Sequence, residues 1–254
     1  MSFSILWHGD SNMQIFSGGV SILIDPFFEG NPLAPDWRSV PRPDVVLVTH
    51  DHGDHLGQAV EIARETGAAL GGIVELAAHC VEEGVPAAQV TGWNMGGTAE
   101  LRGVRVTMTP AFHSCERWGV PVGFVLELPG GGVIYHAGDT CLFGDMALIG
   151  RQFSPDVALL PAGGFYTMDG VQAARACALL GVRSAVPMHY GTFPVLAPTA
   201  ESFVGALALE APGCRAVCLK PGERAEFEAE TPYYYSTFDE ESETKPSTGK
   251  KKVM

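Results

Sequence analysis

Apolar residues in the first half of this chain fall into short runs bounded by glycine and proline. They predict strands over residues 3–7, 13–16 and 20–24, broken at Gly18 and Gly19 and stopped at Pro26. A β-branched run over 44–49 predicts a buried strand that ends in polar residues. Leu56, Val60 and Ala63 then fall at helical spacing and predict a helix over 55–66. A strand over 69–74 and a helix over 75–83 follow. Next come a hairpin across 99–109 and a second that joins 122–128 to 132–135 around Pro129, Gly130 and Gly131. Beyond Gly138 the elements alternate, with helices over 145–152, 169–180 and 200–209 and strands over 157–160 and 185–188. Each half therefore offers a sheet with covering helices, which makes the chain an α/β protein. Two halves packed sheet to sheet with helices outside is one of several layouts this pattern allows.

The chain of 254 residues is long enough to bury one sizeable core, and residues 1–230 read as one domain. From Thr231 the composition turns to three tyrosines and then a polar, mixed-charge run. Residues 231–254 therefore read as a C-terminal tail, disordered from about 242. No apolar run approaches the roughly 20 residues that span a bilayer, so no integral membrane contact is expected. The first seven residues carry neither a basic stretch nor a cleavage site. The six cysteines include no CxxC pair, and reduced thiols in the cytoplasm fit them best. A formal charge of -13 repels the phosphate backbone and disfavours long nucleic acids. A small-molecule substrate fits better, with the oligomeric state left open and a homo-oligomer among the choices.

The candidate chemistry begins at Thr49-His50-Asp51-His52-Gly53-Asp54-His55, where the buried strand gives way to the helix. His50 and His52 lie two apart on an extended end and can point the same way, while Asp54 and His55 begin the next element. Three imidazoles and a carboxylate at one strand end make a nitrogen and oxygen ligand set that suits zinc, and less selectively iron, manganese or nickel. Burying that polarity without a metal would be costly. One segment cannot complete two coordination spheres, and three further candidates stand at the ends of apolar strands: His113, Asp139 and His189.

These residues resemble the metallo-β-lactamase superfamily, whose signature is HxHxDH followed by His, Asp and His. The segments Phe112-His113-Ser114, Tyr135-His136-Ala137-Gly138-Asp139-Thr140, Pro187 to Pro194 and Leu219 to Glu223 are similar to its bacterial and archaeal metal-dependent hydrolase group. The likeness runs from about Ile5 to Glu223. It implies a four-layer αββα sandwich of two mixed sheets packed face to face. It also implies two divalent metal ions, zinc foremost and manganese, iron(II) or nickel as alternatives. One would rest on His50, His52 and His113, the other on Asp54, His55 and His189, with Asp139 bridging both. The chain departs from the family at Asp10, where many relatives carry histidine after Gly9 and where His8 stands close by. It departs again at Asp51, often glycine in relatives, and at Phe165, frequently polar in them.

Two such cations lower the pKa of bridging water toward neutrality and supply a hydroxide that attacks a carbonyl of an ester, lactone or thioester. Asp54 would hold a metal and orient that nucleophile. Tyr190 and His136 are candidates to donate a proton or contact substrate, with core packing as the alternative for both. Asp25 is a candidate to accept the far N–H of a metal-bound imidazole. The sequence contains neither a GxSxG motif nor a Walker loop. The competing readings are a phosphodiesterase or nuclease on the same scaffold, a di-iron redox protein, and a non-catalytic metal-binding protein. His52 stands where the redox members carry glutamate. The loops at 28–37 and 115–120 carry Phe28, Trp37 and Trp118, which fit pocket and packing roles equally.

Overall fold

A computed structural model describes residues 2–229, so the tail expected from 231 lies outside the described residues. The first half contains β1 (Ser2–Trp7), β2 (Met13–Ser17), β3 (Val20–Ile24), β4 (Val45–Leu47), α1 (Gly53–Leu56), α2 (Ala59–Thr66), β5 (Ala69–Ile73), α3 (Val74–Glu82) and β6 (Val90–Trp93). The second contains β7 (Thr98–Leu101), β8 (Val104–Pro110), β9 (Val122–Glu127), β10 (Val133–His136), α4 (Met146–Phe153), β11 (Val157–Pro161), α5 (Gly170–Leu180), β12 (Ser184–Met188), α6 (Glu201–Glu210), β13 (Arg215–Ala216) and β14 (Arg224–Glu228).

These strands form two seven-stranded sheets, ordered β14-β1-β2-β3-β4-β5-β6 and β13-β12-β11-β10-β9-β8-β7. In the first, pairing is antiparallel from β14 to β3 and parallel from β3 to β6. In the second it is parallel from β13 to β10 and antiparallel from β10 to β7. Both sheets are thus mixed.

Strand alternation builds the layers. Ile134 and Leu159 join a core shared with Ile5, Ile22 and Leu47 of the first sheet, so the sheets pack face to face. Their chain neighbours Tyr135 and Leu160 point the other way, onto Met146 of α4, Cys177 of α5 and Phe203 of α6. Ile62 of α2 and Leu76 of α3 cover the first sheet. The result is the αββα sandwich. Each fully buried aliphatic side chain contributes roughly 1.5–3 kcal/mol. Among the described residues no helix is long and apolar enough to cross a membrane.

The structure corrects three expectations. The helix expected over 55–66 is broken into α1 and α2, because Gly57 has φ +42° and a Cβ there would run into the Pro26 carbonyl. Gln58 beyond the break instead ties down the strand end: its amide donates to Pro26, and its side-chain oxygen accepts from Phe28 and Glu29. The strands β6, β13 and β14 were not expected; in β14 only Phe227 is buried, too little apolar signal to read. Phe28 and Trp37 are core residues at 4% and 7% exposure, which settles their role as packing.

The topology explains the site. β1, β3 and β4 run parallel to one another in one sheet, and β8, β10 and β12 do so in the other. The chain leaves the carboxyl ends of these strands through Asp10, Asp25, the His50–His55 turn, His113, Asp139 and His189. The two rims meet through bonds such as the Val122 amide to the Thr49 carbonyl at 3.1 Å and the His189 amide to the Asp10 carbonyl at 3.1 Å.

Candidate metal centre

All seven residues proposed as ligands come together at this rim. Their donor atoms form three groups, each with atoms within 4.8 Å of one another: His50, His52 and His113; His50, His55 and Asp139; and Asp54, His55 and His189. Asp139 lies between the outer two. Its Oδ2 is 3.3 Å from His55 Nε2, 3.6 Å from His113 Nε2 and 3.2 Å from His189 Nε2. Asp54 Oδ2 stands 3.7 Å from His189 Nε2 and 3.9 Å from His55 Nε2. His50, His55, Asp139 and His189 are buried, while His52, Asp54 and His113 are half-buried and form the open side.

Local backbone fixes these positions. Gly138 has φ +61°, and a Cβ there would strike the Val122 carbonyl, so glycine alone lets the chain turn Asp139 into the cluster. Asp10, Asp25 and His189 have φ of +55°, +50° and +56°, half of the six positive-φ non-glycine residues among those described. Such backbone costs of order 1–3 kcal/mol per residue and collects at functional sites.

Asp25 orders the imidazoles from behind. Its Oδ1 accepts from the Thr49 amide at 2.8 Å, and its Oδ2 accepts from Thr49 Oγ1 at 2.7 Å and from His55 Nδ1 at 2.8 Å. Thr49 Oγ1 in turn lies 3.0 Å from His50 Nδ1. Both rings thereby spend Nδ1 on the interior and turn Nε2 toward the cluster, the arrangement that prepares a metal-binding imidazole. Asp25→Ala is expected to weaken metal affinity roughly 10–100-fold while the ligands themselves stay intact. Calorimetric titration of the stripped protein checks this, and an unchanged affinity would contradict it.

Charge in the cluster is strongly coupled. Burial alone would raise the Asp139 carboxyl, but His189 and His55 beside it hold it well below the usual carboxylate range. Burial would lower His55 and His189, but Asp139 together with Asp25 at His55, and with Asp54 and Asp10 at His189, lifts both well above an ordinary imidazole. His50, buried beside His55, is pushed well down, and burial lowers His113. A cation set fits these donors on two counts. His55 Nε2 and Asp139 Oδ1 are buried without a hydrogen-bond partner, and His50 Nε2 and His52 Nδ1 face each other at 3.0 Å, two ring nitrogens converging on one point.

The other candidates lie elsewhere. His136 is fully buried; its Nδ1 accepts from the Gly138 amide at 3.1 Å, and burial lowers its pKa. Tyr190 donates to the Leu219 carbonyl at 3.4 Å, packs its ring 5.0 Å from Trp7, and lines a cavity of about 740 Å³ with Pro198, Val204 and Leu219. Neither belongs to the three donor groups. His8 donates to or accepts from Gln14 at 2.9 Å and packs on Phe28, so it does not stand in at position 10.

Sequence reasoning missed Asp51. Its carboxylate accepts from the amides of Glu116, Arg117 and Trp118 at 2.7, 2.6 and 2.9 Å, pinning the loop after His113 to the histidine-rich turn. Nothing in local pattern signals bonds made more than sixty residues away.

The family model of the beta-lactamase superfamily domain matches residues 21–190. A metal-dependent hydrolase of Nitratidesulfovibrio vulgaris is 54% identical over 227 residues, covering 88% of this chain and 95% of the relative. One from Lawsonia intracellularis is 44% identical over 230 residues, covering 89% of this chain and all of the relative. Among solved structures, a metallo hydrolase from the archaeon Ignicoccus hospitalis superposes with TM-score 0.82 at 38% identity, covering 90% of this chain and 99% of that one.

Proposed function

The chain belongs to the metallo-β-lactamase superfamily and is a metal-dependent hydrolase, and from that premise we propose that it uses two divalent cations, zinc foremost, to hydrolyse a carbonyl substrate. The substrate is a small ester, lactone or thioester. His50, His52 and His113 would hold one cation, Asp54, His55 and His189 the second, and Asp139 would serve both. The observation that carries this reading is the central place of Asp139, whose Oδ2 lies within 3.6 Å of imidazole nitrogens from both groups.

Bound there, the cations supply Lewis acidity, which lowers the pKa of water toward neutrality and polarises a substrate oxygen. The protein's own groups do the rest. Asp54, half-buried on the open side, holds its position beside His189 and His55 and accepts a hydrogen bond that orients the attacking water. Asp25 and Thr49 keep the His50 and His55 rings in register. His136 accepts from the Gly138 amide and so steadies the turn that carries Asp139, while Tyr190, directly after His189, packs on Trp7. Six free thiols among the described residues accord with a reducing cytoplasm.

Aromatic side chains favour a substrate with an apolar part. Phe112, 57% exposed, immediately precedes His113 and packs 5.0 Å from Phe143. Phe165, 77% exposed at φ +61°, lies two residues beyond Gly163, where an added Cβ would run into the His189 carbonyl. Removing either ring, as in Phe112→Ala or Phe165→Ser, is expected to lower kcat/KM for long-chain acyl substrates roughly tenfold, about 1.4 kcal/mol, without changing metal content. Equal loss on acetyl and decanoyl esters would contradict the assignment.

A panel of p-nitrophenyl esters, lactones and acyl thioesters, run beside bis-p-nitrophenyl phosphate, tests the reaction class. The carbonyl substrates should turn over faster, and chelator should abolish the rate. Preference for the phosphodiester would replace this reading with phosphoryl chemistry, and turnover of none would leave a metal-binding protein without hydrolysis.

A further inference from the structure

Asp10 is an acidic residue at this rim outside the seven-ligand reading, and unlike Asp25 and Asp51 its carboxylate accepts no hydrogen bond. It lies in the tight turn between β1 and β2, closed by the His8 amide to Asn12 at 2.9 Å and the Asn12 amide to Gly9 at 3.1 Å. Its carbonyl accepts from Trp7 Nε1 at 2.7 Å and from the His189 amide at 3.1 Å, which locks its backbone against the end of β12. The residue is completely buried at φ +55°, and neither carboxylate oxygen has a hydrogen-bond partner. A carboxylate withdrawn from water without hydrogen bonds is costly unless a positive charge stands beside it.

That charge has a defined place. Asp10 Oδ1 is 3.6 Å from His189 Nε2, the same nitrogen that faces Asp139 Oδ2 at 3.2 Å and Asp54 Oδ2 at 3.7 Å. Two donors that each sit roughly 2.1 Å from a shared ion lie about 3–3.5 Å from one another, close to the Asp10 to His189 separation. Three carboxylates therefore surround one imidazole nitrogen, whereas the His50, His52 and His113 group has only the shared Asp139 beside its imidazoles.

We propose that Asp10 is an additional carboxylate donor to the cation held by Asp54, His55 and His189, making that position oxygen-rich and open to a hard, six-coordinate ion such as manganese or iron(II). Carboxylate ligands suit such ions, while an imidazole-rich group suits zinc. This rests on the two-cation reading above and adds to it an unequal pair of sites.

The test uses the full chain, stripped by chelator and titrated with Mn2+ alone, with free Mn2+ read by electron paramagnetic resonance. Wild type should bind in two steps. Asp10→Asn should keep one step and weaken the other roughly 10–100-fold, Asp10→His should do the same for Mn2+ while retaining two Zn2+, and Asp10→Glu should restore both steps. Folding of each variant is checked by circular dichroism. Asp10→Asn or Asp10→His binding Mn2+ as wild type does would overturn the proposal and leave the two-cation reading standing. Wild type binding no Mn2+ or Zn2+ would overturn both. Crystals of Mn2+-loaded wild type decide the matter independently of any variant: an Asp10 oxygen within about 2.5 Å of the ion supports it, and one that points away contradicts it.

Discussion

Asp139→Asn should lower kcat/KM roughly 1000-fold or more, about 4 kcal/mol of transition-state stabilisation, and remove at least one of the two cations. The expectation follows from position and charge together. Asp139 is 2% exposed, its Oδ2 reaches His55, His113 and His189, and its Oδ1 has no hydrogen-bond partner. Asparagine keeps the shape but presents a neutral group with one acceptor oxygen, so it cannot balance two dications. Its amide would also aim N–H at imidazole nitrogens that are meant to face metal. Steady-state kinetics with metal content measured on the same sample checks this. Activity within threefold of wild type with both cations retained would refute the bridging role.

Removing the metals should lower Tm by about 10–15 °C at neutral pH, and the difference should grow as pH rises from about 6 to about 8. Saturation at a thousandfold above Kd stabilises by about 4 kcal/mol, and each kcal/mol moves Tm by about 2–4 °C for a domain of this size. The pH dependence follows from two histidines. Asp139 lifts His55 and His189 well above the ordinary imidazole range against the opposing effect of burial. Their folded pKa values are raised, so the stability they lend the stripped chain is complete below the unfolded value near 6.5 and is lost as pH climbs through the raised values. Metal binding must expel those same protons, so affinity moves the other way and strengthens with rising pH. Loaded protein therefore keeps its stability as pH rises while stripped protein loses it, and the gap widens by that one proton release. Thermal melts with and without chelator across that interval measure it, and a gap independent of pH would contradict the assignment of His55 and His189 as metal-facing.

Much of this site was legible in the chain because strand ends announce themselves. His50 through His55, His113, Asp139 and His189 each follow an apolar run long enough to be read as a strand, and a polar group there has few structural uses. The pairing of these residues was not legible from spacing, since it depends on how the rims of two sheets meet, and only the resemblance supplied it. Asp51 shows the limit more sharply. Its three backbone donors lie at positions 116–118, and no local pattern connects them. The fold followed a similar division. β4 and β12 carry continuous apolar sequence and β8 alternates apolar with polar residues, so all three were expected, whereas β14 lays Arg224, Glu226 and Glu228 on an exposed edge and was not. The break at Gly57 escaped notice because helical spacing continues across it. What interrupts the helix is the Pro26 carbonyl, a neighbour supplied by tertiary packing.

Two cations in neighbouring positions of one rim should appear in anomalous diffraction from zinc-loaded crystals as two peaks, one among His50, His52 and His113 and one among Asp54, His55 and His189, with Asp139 between them. A single peak, or peaks away from these residues, would contradict this arrangement.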